Sequence, residues 1–129
     1  MEGKGNKRQT VGRLGEDVAA EMLIGMGHGI LERNYRSGHL EIDIISAAAD
    51  GIHFVEVKSR RESIQAPPQE SVDKAKQRRI ARAAGRYLKN LNGATAFGGE
   101  CHFDIIAVIF TDNHVHKEFI PDAYIPIYL

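Results

Sequence analysis

Two stretches of the chain set charged residues into otherwise apolar alternation. In residues 40–44, Leu40, Ile42 and Ile44 alternate with Glu41 and Asp43; in residues 54–58, Val55 and Val57 alternate with Phe54, Glu56 and Lys58. A period of two predicts a strand with one polar face in each stretch. Asp50-Gly51 between them is a turn signal, so the pair is expected as a hairpin. A loop centred between Ala49 and Asp50 puts Asp43 opposite Glu56, whereas a turn made by Asp50-Gly51 alone puts it opposite Lys58. Either register keeps Asp43, Glu56 and Lys58 on one face, with opposed Cβ atoms roughly 5 Å apart. Two carboxylates at that spacing can share a divalent cation, with a lysine beside it. The plainer reading is an ion-pair cluster on a solvated sheet face. Segments as apolar as E-I-D-I-I and F-V-E-V-K argue for the site instead, because a charge set among apolar residues needs a partner or a metal.

The remaining pattern surrounds this hairpin with helices and strands. Val11, Leu14, Val18, Met22 and Leu23 recur at helical spacing, which predicts an amphipathic helix with Thr10 as N-cap and Gly27 as its stop. Glu16 lies in its first turns, off the apolar stripe, where the helix dipole suits a surface acid as well as a functional one. Residues 29–36 read as a first strand. After Lys58 an irregular loop is expected, carrying Arg60, Arg61 and Pro67-Pro68. A second helix is expected from residues 71–73 to about residue 91, ended by Asn92-Gly93. Its apolar stripe is Val72, Ala75, Ile80, Ala83, Ala84, Tyr87, Leu88 and Leu91. Residues 102–110 form the most apolar run and fit a central strand buried on both faces. A turn at 111–113 and an edge strand at 114–120 follow. The apolar tail either completes the core or makes a homodimer contact.

With 129 residues, 43% apolar and 26% charged, the chain is expected to form one domain over residues 10–129 behind a disordered arm, residues 1–9. The lone cysteine, Cys101, excludes an internal disulfide and suits a reducing cytosol; beside an apolar strand it is expected as a buried, inert thiol. No run has the length of a membrane span and no signal peptide is visible, so a cytoplasmic protein without membrane contact is expected. The net charge is zero, but it is unevenly spread. Ten Lys and Arg against three acids fall between Lys58 and Lys89, a local excess of seven positive charges. Lys74, Lys76, Arg78, Arg79 and Arg82 make the second helix almost uniformly basic outside its apolar stripe, and together with Arg60 and Arg61 they suit a phosphate backbone. Few aromatic residues lie among them, which favours duplex or branched DNA over a single-strand stacking platform. His114-x-His116 is the closest histidine pair, yet no further zinc ligands accompany it at suitable spacing. Asp104 is expected as a hydrogen-bonded core acid.

The order helix, three strands, helix, two strands, with D…ExK across the hairpin, resembles the restriction-endonuclease-like PD-(D/E)xK superfamily. More closely, the chain is similar to the YraN-like, uncharacterised endonuclease-like family. The matching pieces are G-R-L-G-E at 12–16, L-E-R-N-Y-R at 31–36, E-I-D-I-I at 41–45, F-V-E-V-K-S-R at 54–60, K-Q-R-R-I at 76–80 and F-D-I-I-A-V at 103–108. The resemblance implies an α/β fold, a mixed central sheet of about five strands flanked by helices in the order α-β-β-β-α-β-β. It implies catalysis by Asp43, Glu56 and Lys58, with Asp43 and Glu56 as metal ligands and Glu16 as an auxiliary one; Glu41 is a further candidate ligand. Gln77 corresponds to a helix glutamine of resolvase-like relatives, next to the basic DNA-binding face. The function implied is a DNA endonuclease dependent on one or two Mg²⁺ or Mn²⁺ ions, acting on branched or damaged DNA in repair or recombination. The alternative is a nucleic-acid-binding protein that keeps the fold and does not cleave.

Overall fold

The computed structural model describes residues 7–61, 72–91 and 100–125. Helix α1 (Lys7–Gly25) leads into strands β1 (Gly29–Ser37), β2 (Leu40–Ala48) and β3 (Gly51–Arg61). Helix α2 (Lys74–Lys89) and strands β4 (Cys101–Phe110) and β5 (Val115–Ile120) follow. The five strands form one sheet in sequence order. Neighbours are antiparallel except β3 and β4, which run parallel, so the chain must cross over between them, and α2 lies on that crossover. This is the expected α/β architecture and element order.

Each helix covers one face. Ala19, Ala20 and Leu23 of α1 pack with Ile44, Val55, Ile106 and Val108. Ile80, Ala83, Ala84 and Tyr87 of α2 pack with Ile42, Ile45, Phe54, Phe103 and Ile105. Buried on both sides, β4 is the internal strand its sequence predicts. Ala123 and Tyr124 of the tail close on the α2-side core, anchored by the Ala123 N–H on the Phe103 carbonyl at 2.8 Å.

Differences from the sequence reading have physical causes. Helix α1 begins at Lys7, ahead of Thr10, so part of the expected arm is helical and residues 1–6 lie outside the described residues. Its end matches expectation: Gly27, at φ +97, takes the left-handed position while Gly27 and His28 N–H groups bond Ile24 and Leu23 carbonyls. Arg60 and Arg61 belong to strand β3 rather than a loop, because the parallel ladder with β4 continues to Arg61–Phe110. The Pro67-Pro68 segment lies outside the described residues. Asp73 caps α2 by accepting the Lys76 N–H at 2.8 Å. Ala75 is exposed and Ala81 takes a buried place on the stripe. Cys101 is exposed, not buried, though partial burial still pushes its thiol pKa up and keeps it a poor nucleophile.

Candidate metal and nucleic-acid site

The hairpin joining β2 and β3 turns at Ala49-Asp50, with Ala48 paired to Gly51. Of the two registers open to the sequence, this is the one that places Asp43 across from Glu56. The ladder stops at Ile44–Val55, one step short of that pair. Beyond it, the Asp43 carboxylate accepts the Val57 N–H at 2.8 Å, replacing a backbone rung with a side chain.

A change of face in the neighbouring strands explains why Asp43 reaches into this gap. Residues two apart on a strand ordinarily share a face. Here Ile44 lies in the α1-side core and Ile42 in the α2-side core. Their β1 partners divide the same way: Arg33 pairs with Asp17 of α1 at 2.8 Å, while Tyr35 packs edge-to-face on Tyr87 of α2. Between Arg33 and Tyr35 stands Asn34 at φ 55, opposite Asp43. Asparagine tolerates this left-handed backbone better than most residues. Both strands thus roll over at this rung, and the rotation aims Asp43 at the opening between β2 and β3.

Glu56 and Lys58 follow ordinary alternation on β3, on the face that α2 covers. Glu56 is buried, at 6% exposure, and Lys58 is half-buried. Lys76, from the first turn of α2, pairs with Glu56 at 2.6 Å. His39, Glu41, Asp43, Glu56, Lys76 and Arg79 line a cleft of about 210 Å³ here. Burial first, and then the Glu56 charge, push the Asp43 pKa up to about 7; Glu16 adds to the effect, against the Val57 hydrogen bond and Lys76. Burial lowers the Lys76 pKa, but the Glu56 hydrogen bond and the charges of Glu56 and Asp43 outweigh it, so the value rises. The cluster therefore has more negative charge than one lysine balances.

The other sequence-derived residues fall at varied distances from this centre. Glu16 is brought to it by Gly15: a side chain there would overlap Ser59 of β3, so only glycine lets α1 lie this close. Glu16 also pairs with Arg33 at 3.8 Å. Glu41 lines the cleft, is exposed, and sits 3.9 Å from Arg36. Arg79 lies on the cleft wall, and Lys74, Arg78 and Arg82 are exposed on α2. Lys76 turns inward to Glu56 instead of outward with them. Gln77 donates to the Val72 carbonyl at 2.8 Å, bracing the entry to α2. Sequence reasoning missed a second, wider groove of about 690 Å³, where Arg13, Arg33 and Arg36 line the wall beside Glu16. Their basic character is visible in the sequence, but their convergence depends on α1 crossing β1. Among the described residues no helix is long and apolar enough to cross a membrane.

Residues 15–108 match the model of the uncharacterised protein family UPF0102. A UPF0102 protein of Desulfosudis oleivorans is 43% identical over 119 residues, covering 92% of this chain and 93% of that protein. One of Trichlorobacter lovleyi is 44% identical over 126 residues, covering 95% and 94%. One of Moorella thermoacetica is 44% identical over 101 residues, covering 78% and 82%.

Proposed function

The chain belongs to the uncharacterised protein family UPF0102, and from that premise we propose that it is a metal-dependent DNA endonuclease working at the notch of Asp43, Glu56 and Lys58. The observation that carries this reading is the facing of Asp43 and Glu56 across parted strands, with the Asp43 pKa pushed up to about 7. Like charges held this close call for a cation, and Lys76 on Glu56 supplies only one. The donors are all carboxylate oxygens, which suits a hard ion, with Asp43 and Glu56 as principal ligands and Glu16 and Glu41 beside them. Asp43 and Glu56 would hold one or two Mg²⁺ or Mn²⁺ ions there, and the ions would supply Lewis-acid polarisation of the substrate phosphate and activation of water.

The chain's own groups do the rest. Lys58, two residues after Glu56 on the same face, orients the attacking water and offsets charge that builds on the phosphate. Lys76 keeps Glu56 balanced until a cation takes over. Arg60, Arg61, Lys74, Arg78, Arg79 and Arg82 grip the backbone without reading bases, and Arg13 and Arg36 extend that grip along the second groove. The substrate is duplex or branched DNA, met in the cytoplasm during repair or recombination.

The Lys76–Glu56 pair also supports a second reading, a DNA-binding protein that needs no metal because the lysine already compensates the acid. A cleavage screen separates the two. Duplex, single-stranded, flapped and four-way-junction DNA are incubated with Mg²⁺ or Mn²⁺, comparing the unmodified protein with Asp43→Ala and Lys58→Ala. The nuclease reading requires cutting that Asp43→Ala abolishes and that Lys58→Ala reduces about a hundredfold or more. Salt-sensitive binding retained by both variants, with no cutting by any of the proteins, supports the binding module.

A further inference from the structure

On the other face of β3, three residues before Glu56, a second polar cluster has formed. His53 is 4% exposed, and its Nδ1 lies 2.6 Å from Asp104 Oδ2. Its in-register neighbour on β4 is His102, whose Nδ1 lies 2.8 Å from Asp122 Oδ1. Asp104 is fully buried and is held in turn by the Asp122 N–H at 2.8 Å. A carboxylate on each Nδ1 fixes both rings and presents both Nε2 atoms in the same direction. Metal-binding histidines are oriented in this way, and the carboxylate makes each ring a stronger donor.

The Nε2 atoms face Asp50. His53 Nε2 lies 2.7 Å from Asp50 Oδ1, and His102 Nε2 lies 3.6 Å from Asp50 Oδ2. Glu100 adds a fourth group, its Oε1 3.3 Å from His102 Nε2. Ligand atoms of Asp50, His53 and His102 all fall within 4.8 Å of one another. In a tetrahedral zinc site with bonds of about 2.0–2.1 Å, donors stand about 3.3 Å apart. The backbone holding these groups is fixed: Gly51, at φ +130, has no side chain to clash with the Glu100 carbonyl, and that carbonyl accepts the Ile52 N–H at 3.0 Å.

We propose that Asp50, His53, His102 and Glu100 form a site for one divalent cation of the zinc class, distinct from the carboxylate notch and not dependent on the nuclease reading. Two imidazole nitrogens with carboxylate oxygens favour zinc or cobalt over magnesium. With carboxylates at Nδ1 and oxygen acceptors at Nε2, both rings carry protons on both nitrogens when no metal is present. Binding forms two metal–Nε2 bonds and releases the two Nε2 protons to solvent, so the charge of the cluster stays the same. The ring planes are 15° apart, with centroids at 4.4 Å. Coordination tilts their Nε2 edges together, and of the two side chains His102 is the more exposed, at 16% against 5% for His53. A bound ion would tie the hairpin to the start of β4. His28, at 4.5 Å from His53 on the opposite side, has its Nδ1 on Ser46 Oγ and stands outside the ligand set.

The test is titration of chelator-stripped, tag-free protein with Zn²⁺ by calorimetry and with Co²⁺ by visible absorption. One equivalent per chain is expected, with the intense absorption of low-coordinate Co²⁺. Asp43→Ala should retain it, whereas His102→Asn and Asp50→Asn should weaken it at least tenfold while keeping the far-ultraviolet circular dichroism of the unmodified chain. Both substituted side chains lie at the surface end of the cluster, so loss of folding does not mimic the result. Absence of a stoichiometric site overturns the proposal. So does unchanged affinity in His102→Asn and Asp50→Asn, or loss of the site in Asp43→Ala or His116→Asn instead.

Discussion

The sheet carries acidic groups into the interior on each of its faces, Asp104 of β4 on one and Asp43 of β2 with Glu56 of β3 on the other, and the two environments are opposites. On the α1 side, Asp104 is fully buried and satisfied by His53 and the Asp122 N–H. On the α2 side, Asp43 and Glu56 face each other, with one N–H and one lysine between them. A buried charge with its partners in place holds a fold together; two like charges without enough partners work against it and persist for another reason. The donors also differ, nitrogen and oxygen on one side and oxygen alone on the other. One small sheet thus separates chemistry suited to a zinc-class ion from chemistry suited to magnesium.

The largest effect expected from breaking this contrast is on the satisfied side. Asp104→Ala leaves a buried imidazole without its partner and should lower stability by about 3–5 kcal/mol in urea denaturation. On the unsatisfied side the loss falls on activity: Lys58→Ala should reduce cleavage about 10²–10³-fold, with the denaturation midpoint and DNA affinity nearly unchanged. Single-turnover rates measured beside a urea curve check both halves of that statement.

Asp43→Asn should move stability the other way. It keeps the acceptor for the Val57 N–H and removes the like charge, so metal-free protein near pH 8 should gain about 1–3 kcal/mol after allowance for partial exposure. The pH dependence follows from the same shift. The folded chain keeps a proton on Asp43 up to about pH 7, whereas the unfolded chain loses it near 3.8. Folding therefore binds the extra proton between those values, and metal-free stability should fall as pH rises through that window. Thermal melts from pH 4 to 8 should show this slope in the unmodified protein and a smaller one in Asp43→Asn. His102 has the same sign in a higher window. Burial alone would lower its pKa, but the Asp122 hydrogen bond, the Asp50 carbonyl and nearby acids raise it to about 9. Its contribution is complete below 6.5 and fades as pH rises through about 9.

The smallest expected effect is on the outer face of α2. Arg82→Ala should weaken duplex binding only modestly, about equally across sequences, and reduce the salt slope by about one unit.

Much of the notch was legible because it is built from local alternation. The apolar–polar pattern placed Asp43, Glu56 and Lys58 on adjacent strands, and only loop length was left to choose the register. The rollover at Asn34 was less visible, since an asparagine in a strand does not reveal which strands it will turn. Lys76 looked like one more cation on the basic face, and its inward course to Glu56 depends on where α2 meets β3. The histidine cluster was hidden for a different reason. His53 and His102 are 49 residues apart and become neighbours only through the parallel pairing of β3 with β4, which no local pattern encodes. His114 and His116 stood close in sequence and remain an exposed pair on the turn and edge strand.

The central claim is that the Asp43–Glu56 pair is completed by a hard cation that DNA cleavage requires. Mn²⁺ binding followed by electron paramagnetic resonance, run beside cleavage of the same DNA by the same samples, tests it most directly. The site should fill in the unmodified protein, and both filling and cutting should vanish together in Asp43→Asn. Cutting that survives in Asp43→Asn, or a filled site with no cutting of any DNA, would contradict the claim.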